Sequence, residues 1–248
     1  MKILITRAKG FIGKNLTNEL HKRDYTEISE FDIRSKPELL DVYCSECDFV
    51  YHLAGVNRPK DESEYMTGNF GFASTLLEKL GKYHNVCPIM IASSIQATMD
   101  NPYGISKKAA EDLMLSHHKE TGAQVFIYRF PNIFGKGCRP DYNSAVATFC
   151  HHIANDLPIK VKDRNVMMKL VYIDDLVEEL IPLIDGRGHK KEDGFYFTQE
   201  EYTISLGEIV DLIYFFKEAR EKSIITNIAD PFTRKLYATY LSYLPKNN

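Results

Sequence analysis

Short apolar runs bounded by turn residues recur through the first half of the chain. They are Lys2-Ile-Leu-Ile-Thr6, the segment around Glu27–Arg34, Asp48-Phe-Val-Tyr-His-Leu-Ala-Gly55, Cys87-Pro-Ile-Met-Ile-Ala-Ser-Ser94 and Gln124–Arg129. Runs of this length without polar alternation predict buried parallel strands. Between them lie stretches that read as helices: from Gly13 to about His21, from about Glu64 to Tyr83 with Leu76, Leu77 and Leu80, and from Pro102 to Gly122. Strands alternating with helices predict an α/β fold built on a doubly wound parallel sheet. That core is expected over residues 1–134, with return segments near 165–185. Beyond Gly135 the rhythm loosens, and 135–248 is expected to be mainly a smaller C-terminal lobe. Within it Thr203-Ile-Ser205-Leu-Gly-Glu208 reads as a capping box for a helix through Lys222.

A chain of 248 residues can bury a sizeable core. Its 44% hydrophobic and 26% charged residues are ordinary for a soluble globular protein, and a net charge of -3 argues against nucleic acid as the main partner. Apolar runs are too short to span a membrane, and the Met1–Thr6 start lacks the length of a signal peptide. A cytoplasmic location is expected, with the five cysteines (44, 47, 87, 138 and 150) as free thiols. Cys44-Ser-Glu-Cys47 has no second pair beside it, and the adjacent His151-His152 do not share a helix face. No metal site is expected.

Candidate chemistry first appears at Arg7-Ala-Lys-Gly10-Phe-Ile-Gly13, directly after the first predicted strand. A strand, a glycine turn and a helix open a dinucleotide-binding unit. Gly10 lets backbone approach a pyrophosphate, Gly13 lets the helix pack on the strand, and the helix start at Phe11 and Ile12 holds the phosphates. Asp32 and Arg34 close the second predicted strand. An acidic residue about 20 positions after the glycines holds an adenosine ribose, whereas a nearby arginine accepts a 2′-phosphate. Arg7 and Lys9 are expected to add positive charge at that adenosine end, so NADP(H) is favoured over NAD(H), with Asp32 pointing aside.

The fourth predicted strand stops on Ser94, and the ends of parallel strands are where open α/β sheets place their active sites. Nine residues on, Asn101-Pro-Tyr103-Gly-Ile-Ser-Lys107 sets a tyrosine and a lysine on one helix face. The Lys107 ammonium is expected to favour the phenolate and lower the Tyr103 pKa. Tyr103 then becomes a proton donor or acceptor near neutral pH, and Ser94 a hydrogen-bond donor to a substrate carbonyl. Pro102 suits the first helical turn, with Asn101 or Asp100 as its cap.

These segments together resemble the extended short-chain dehydrogenase/reductase family over nearly the whole chain, with its Rossmann-type core. In that family the loop reads Gly-x-x-Gly-x-x-Gly, and here Arg7 replaces the first glycine. A residue with a Cβ is expected to strain or reshape the turn and to weaken cofactor binding. The resemblance lays the backbone of His52-Leu53-Ala54-Gly55 along the cofactor, keeps an asparagine at Asn69, and brings Lys107 to the nicotinamide ribose. Arg129-Phe-Pro-Asn132-Ile-Phe-Gly135 resembles a nucleotide-sugar motif whose asparagine helps hold the substrate diphosphate. Gln96, Asn132, Arg139 and Arg164 are candidate substrate contacts beside Ser94, and Lys136 is a further cation considered.

Longer strings carry a closer resemblance. His52-Leu-Ala-Gly-Val-Asn-Arg-Pro59, Ser93-Ser-Ile-Gln-Ala-Thr98, Asp100-Asn-Pro-Tyr-Gly104, Tyr142-Asn-Ser144, Ala147-Thr-Phe-Cys150, Asp163-Arg-Asn-Val166 and Thr239-Tyr-Leu-Ser-Tyr-Leu-Pro245 are similar to the reductase domain of CapF-type capsular polysaccharide enzymes. In that group a zinc-binding cupin domain follows and epimerises C3 of a UDP-4-keto-6-deoxyhexosamine. The reductase domain then reduces C4 with NADPH, giving a UDP-6-deoxy-L-talosamine derivative on the way to UDP-N-acetyl-L-fucosamine. Pro245-Lys-Asn-Asn248 falls about where the cupin would start, so only the reduction is expected here. A UDP-sugar is the expected substrate, and a homodimer or a separate cupin-type epimerase are the protein partners considered. Dehydratases of the family carry acidic residues just after the strand-end hydroxyl, where this chain has Ile95 and Gln96. A C4 epimerase has no such marker and remains the alternative. A dinucleotide-sensing regulator, suggested by Arg7, would be expected to lack the Tyr103/Lys107 pair.

Overall fold

In the computed structural model, residues 1–223 and 229–245 are described; 246–248, part of the segment on which the cupin expectation rests, lie outside them. Five strands form one parallel sheet in the order β2-β1-β3-β4-β5: β1 (Ile3–Thr6), β2 (Ile28–Phe31), β3 (Phe49–His52), β4 (Ile89–Ser94) and β5 (Val125–Phe130). β1, β3 and β4 are buried along their whole lengths, as the unbroken apolar runs require. Helices α1 (Phe11–Lys22), α2 (Glu38–Glu46), α3 (Ser63–Met66), α4 (Phe72–Lys82) and α5 (Pro102–Thr121) connect them. Leu4, Val50, Ile89, Ile91 and Ile127 of the sheet pack with Leu40, Ala73, Leu76, Leu80, Ala110 and Met114 of the helices.

Strand order changes direction at β1, so the crevice for a ligand opens where the carboxyl ends of β1 and β3 lie side by side. Thr6 sits there, in register with Phe31 on one side and His52 on the other. The residues after β1 and β3 therefore line one place.

The helix expected over Glu64–Tyr83 is interrupted. Between α3 and α4, Thr67–Gly71 forms a π-helical turn. Its wider winding turns Asn69 inward to full burial, where the amide bonds the backbone of Val56 in both directions.

α5 begins as its sequence suggests. Asn101 caps it by accepting the Gly104 N–H at 2.8 Å, Pro102 occupies the first turn, and Gly122 ends it in the left-handed region at φ 77.

Two compact units are present. The first comprises Met1–Phe130 with Val177–Gln199, and the second Pro131–Leu176 with the described residues from Glu200 onward. The boundary falls at 130/131 and the return at 177–199, against 134/135 and 165–185 expected. In the second unit β6 (Asn132–Phe134) runs parallel to β7 (Met167–Tyr172), which runs antiparallel to β8 (Tyr202–Ser205). α6 (Ala145–Ala154), α8 (Leu206–Glu221) and α9 (Pro231–Leu241) complete it, while α7 (Ile173–Leu180) spans the boundary. Ser205 and Glu208 form the capping box of α8. Asp175, at the start of α7, pairs with Lys235 at 2.6 Å. No described helix is long and apolar enough to cross a membrane.

Asn101→Ala leaves the Gly104 N–H without its acceptor and should lower stability by about 1 kcal/mol, whereas Asn101→Asp should retain most of it. Urea unfolding of the two variants checks this; equal losses would mean that the cap hydrogen bond does not matter.

Candidate active site

Ser94, Tyr103 and Lys107 are brought together by the docking of α5 onto the segment after β4. Ser94 is the last residue of β4, and its hydroxyl accepts the Gln96 N–H, which starts the short 3-10 turn Ile95–Thr98. α5 then returns over that turn at a glycine. A Cβ on Gly104 would lie 2.5 Å from the Met99 carbonyl and closer still to that of Gln96. Only glycine permits this approach, which sets Tyr103 against Ser94 after a nine-residue connection.

Lys107 is buried, at 8% exposure, and its ammonium donates to the Ala92 carbonyl of β4 at 2.9 Å. Burial, and secondarily the charge of Arg7, pull its pKa down to about 8, with Glu111 acting the other way. The Nζ stands 6.0 Å from the centre of the Tyr103 ring. The spacing thus places both side chains on one face, but the ammonium bonds a strand carbonyl.

The expected lowering of the Tyr103 pKa is not what the structure shows. Burial raises it, and the opposing hydrogen bond from Ser94 and charge of Arg7 do not offset that. The Tyr65 ring, 5.6 Å away and tilted by 58°, adds to the enclosure. At neutral pH Tyr103 is therefore a neutral phenol.

The loop after β1 keeps the glycine pattern's shape without its first glycine. Arg7 adopts the left-handed conformation at φ 55, and its carbonyl accepts the Gly10 N–H at 2.9 Å to close the turn. The turn is strained rather than reshaped. Gly13 packs as expected: a Cβ there would lie 2.6 Å from the Ala8 carbonyl and closer to that of Arg7. Gly10 precedes α1 with no side-chain cap, so the N–H groups at Phe11 and Ile12 open the helix without a side-chain acceptor.

Of the three cations expected to gather near Asp32, Arg7 turns its charged group elsewhere. The Arg7 guanidinium crosses to the β3 side and donates to the Gly55 carbonyl. Lys9 and Arg34 are exposed, while both Asp32 carboxylate oxygens accept backbone N–H groups, from Lys9 and from Ile33, each at 2.8 Å.

Past β3, Leu53 is buried and the Ala54 N–H bonds the Thr6 hydroxyl at 3.1 Å. His52 Nδ1 lies 3.0 Å from that hydroxyl, and complete burial pushes its pKa down to about 3, so the ring stays neutral. A Cβ on Gly55 would meet Asn69 Oδ1 at 2.7 Å and Lys107 Nζ at 2.9 Å. Asn69 also donates to Ser106 on α5 at 2.8 Å, tying this segment to the Tyr103 helix.

One group has a part that motif reading missed. Glu111, fully buried one turn beyond Lys107, accepts two hydrogen bonds from Arg129 at 2.8 and 2.6 Å and one from Ser93 at 2.6 Å. Arg129 lies 3.6 Å over the Phe195 ring. The arginine of the Arg-x-x-Asn motif thus holds α5 to β4 and β5. The signal was available: Glu111 shares the Lys107 face at four-residue spacing.

The remaining substrate candidates belong to several elements of the two units. Gln96 is exposed on the 3-10 turn. In the second unit Asn132 is exposed at the start of β6, 3.5 Å from the Lys169 carbonyl, and Arg139 lies 5.3 Å from the Tyr142 ring. Arg164 is engaged, bonding both Asp211 oxygens at 2.7 Å and the Gly207 carbonyl at 3.2 Å, and Lys136 pairs with Asp174.

The first unit's residues fit a dinucleotide. A helix start without a side-chain cap and a neutral His52 leave N–H donors and no competing charge from the histidine after β1 and β3, where Gly10, Gly13 and Gly55 keep the backbone segments close. Gly10, Phe11, Ile12 and Gly13 would hold the diphosphate, and Gly55, Asn69 and Lys107 the further ribose.

The buried Lys107 charge is costly. A pKa lowered from 10.5 to about 8 corresponds to about 3 kcal/mol of lost stability below pH 8. Between about pH 8 and 10.5 the unfolded chain holds the extra proton, so stability rises with pH there. Lys107→Met should therefore be more stable than the parent at pH 7 in the absence of ligand, with the gap closing toward pH 10.5. Denaturant titrations at several pH values check this, and a variant less stable at every pH would contradict it.

The chain resembles known proteins in sequence and in fold. The model described as "NAD dependent epimerase/dehydratase family" matches residues 3–193. The whole chain is 40% identical to UDP-2-acetamido-2,6-beta-L-arabino-hexul-4-ose reductase of Pseudomonas aeruginosa and covers 66% of that protein. It is 28% identical to dTDP-4-dehydro-6-deoxyglucose reductase of Escherichia coli, over 90% of this chain and 83% of that one. The crystal structure of the capsular polysaccharide assembling protein CapF from Staphylococcus aureus superposes with a TM-score of 0.91 at 44% identity, covering 99% of this chain and 66% of that one. The chain thus spans 66% of the length of the first and the last of these relatives. Its fold is also that of UDP-glucuronic acid 4-epimerase from Bacillus cereus in complex with NAD, with a TM-score of 0.80 at 20% identity over 98% of both chains. The chain belongs to the NAD dependent epimerase/dehydratase family.

Proposed function

We propose that this chain reduces the C4 keto group of a UDP-4-keto-6-deoxy-N-acetylhexosamine, with NADPH as reductant, giving a UDP-6-deoxy-L-talosamine-type sugar for surface polysaccharide synthesis. The observation that carries the reading is Tyr103, set on the face of α5 that also carries the buried Lys107, whose Nζ lies 6.0 Å from its ring, and kept a neutral phenol by burial. Beside them Ile95 and Gln96 leave no acid where a dehydratase needs one. The relative from P. aeruginosa, named as a reductase of a hexul-4-ose, supports the same substrate class.

When bound, the nicotinamide supplies the hydride. Ser94 donates a hydrogen bond to the C4 oxygen and stabilises the charge that grows on it. Tyr103 gives that oxygen its phenolic proton. Reduction needs the protonated tyrosine, so a raised pKa keeps the acid loaded at neutral pH. Lys107 sits behind it, fixed to Ala92, where its positive charge favours the phenolate left after transfer. Asn132 and Arg139 are proposed to contact the substrate diphosphate, and Arg164 only if its bonds to Asp211 open.

Tyr103→Phe keeps the ring and removes the proton. Turnover of UDP-4-keto-6-deoxyhexosamines, followed by NADPH consumption, should fall by about 10²–10⁴-fold. Cofactor binding, read by calorimetry, should change little. A variant keeping most of its turnover would remove Tyr103 from the mechanism, and product formation without net NADPH consumption would point to a C4 epimerase.

NADP(H) is proposed over NAD(H) because both Asp32 oxygens are engaged by backbone, one of them by the Lys9 N–H, while the Lys9 and Arg34 residues are exposed. The double variant Lys9→Ala, Arg34→Ala should weaken NADPH and leave NADH nearly unchanged in the same titration. Equal weakening of both would show that these cations do not read the 2′-phosphate.

A further inference from the structure

The most unusual residue of the site is Arg7. It is the one position of the loop where a side chain stands in a conformation that favours glycine, at φ 55. That geometry directs the side chain across the cradle. A Cβ placed on Gly10 would meet the Arg7 Cγ at 3.0 Å and its Nε at 3.3 Å. The stem of the arginine therefore covers the bare face of Gly10, the face a glycine leaves open so that phosphate can approach backbone. The guanidinium continues to the far wall and donates to the Gly55 carbonyl.

That far wall is firm. The Asn69 side chain holds the Val56 N–H at 2.9 Å and the Val56 carbonyl at 3.0 Å, and Gly55 is backed by Asn69 and the Lys107 ammonium. The guanidinium thus bridges two anchored segments, one following β1 and one following β3. It also sets a second cation close enough to Lys107 to help lower that ammonium's proton affinity.

We infer that Arg7 is a built-in occupant of the diphosphate cradle, latched to the Gly55 carbonyl, and that a dinucleotide binds only by displacing it. This rests on the reading that the cradle takes a dinucleotide. Arg7 then sets cofactor affinity by competing for the place, and the glycine it replaces would leave the cradle permanently open. The effect differs from a spoiled turn, because the turn itself is intact.

Two variants separate occupancy from backbone freedom. Arg7→Gly opens the cradle and relaxes the turn. Arg7→Asn keeps a residue tolerant of the left-handed conformation but is too short to reach Gly55. Calorimetric titration of the full chain and both variants with NADPH and with NADH is the test, with no sugar present. Both variants should bind the preferred cofactor about ten-fold more tightly, the size of one charge-assisted hydrogen bond that no longer has to break. A gain in Arg7→Gly alone would assign the effect to the backbone and overturn the latch. Weaker binding by both variants would make Arg7 a phosphate ligand and overturn it as well, while leaving the cofactor reading intact. No binding by any of the three proteins would overturn the latch and the cofactor reading together.

Discussion

The site depends on keeping one ammonium group out of water. Lys107 is held between α5 and β4 by a single carbonyl, close to Gly55, and its lowered pKa records the cost. A lysine in that place is a poor choice for stability. It is tolerable because neighbours on three elements are fixed around it: Glu111 one turn away, Asn69 on the π-turn and the Ala92 carbonyl on β4. Each of those groups is in turn held by a partner with no evident chemistry of its own. Arg129 holds Glu111, Val56 holds Asn69, and the sheet holds Ala92.

Close backbone approach is the second constraint, and it explains the glycines better than motif spacing does. Gly104 lets α5 settle on the turn after β4, Gly13 lets α1 settle on the loop after β1, and Gly55 leaves room for Lys107 and Asn69. Each of these contacts joins a strand end to a helix. The sheet order then does the rest, since β1, β3 and β4 are neighbours and their carboxyl ends share one edge. A site assembled this way needs few residues of its own, but every one of them is positioned by a contact that a methyl group would prevent.

How much of this could be read from the chain follows from what kind of signal each feature leaves. The five strands were legible because a buried parallel strand must be continuously apolar, and α5 because its cap, proline and terminal glycine are local. Ser94, Tyr103 and Lys107 could be placed together because strand end and helix face are periodic properties. The π-turn was not legible: it needs one extra residue in an otherwise helical pattern, and only the burial of Asn69 reveals it. Nor was the path of Arg7, whose charge suggested the adenosine end although its backbone conformation sends it to Gly55. Charge counts add side chains without directions, and direction decided this case.

The Tyr103 pKa shows the same lesson in energetic form. Helical spacing alone suggests that Lys107 activates the phenol by proximity. The structure orders the effects differently: desolvation acts most strongly, the Ser94 hydrogen bond opposes it, and the net result is a tyrosine that holds its proton. For the reduction proposed above this is the useful direction, because the acid would have to be protonated when the carbonyl arrives and give up its proton only as negative charge appears on oxygen. Lys107 then matters after the transfer more than before it. Its charge lies 6.0 Å from the centre of the ring, while the ammonium itself bonds the Ala92 carbonyl. On the proposed mechanism, burial that keeps the phenol protonated and an ammonium held behind the ring would serve the two ends of a single step.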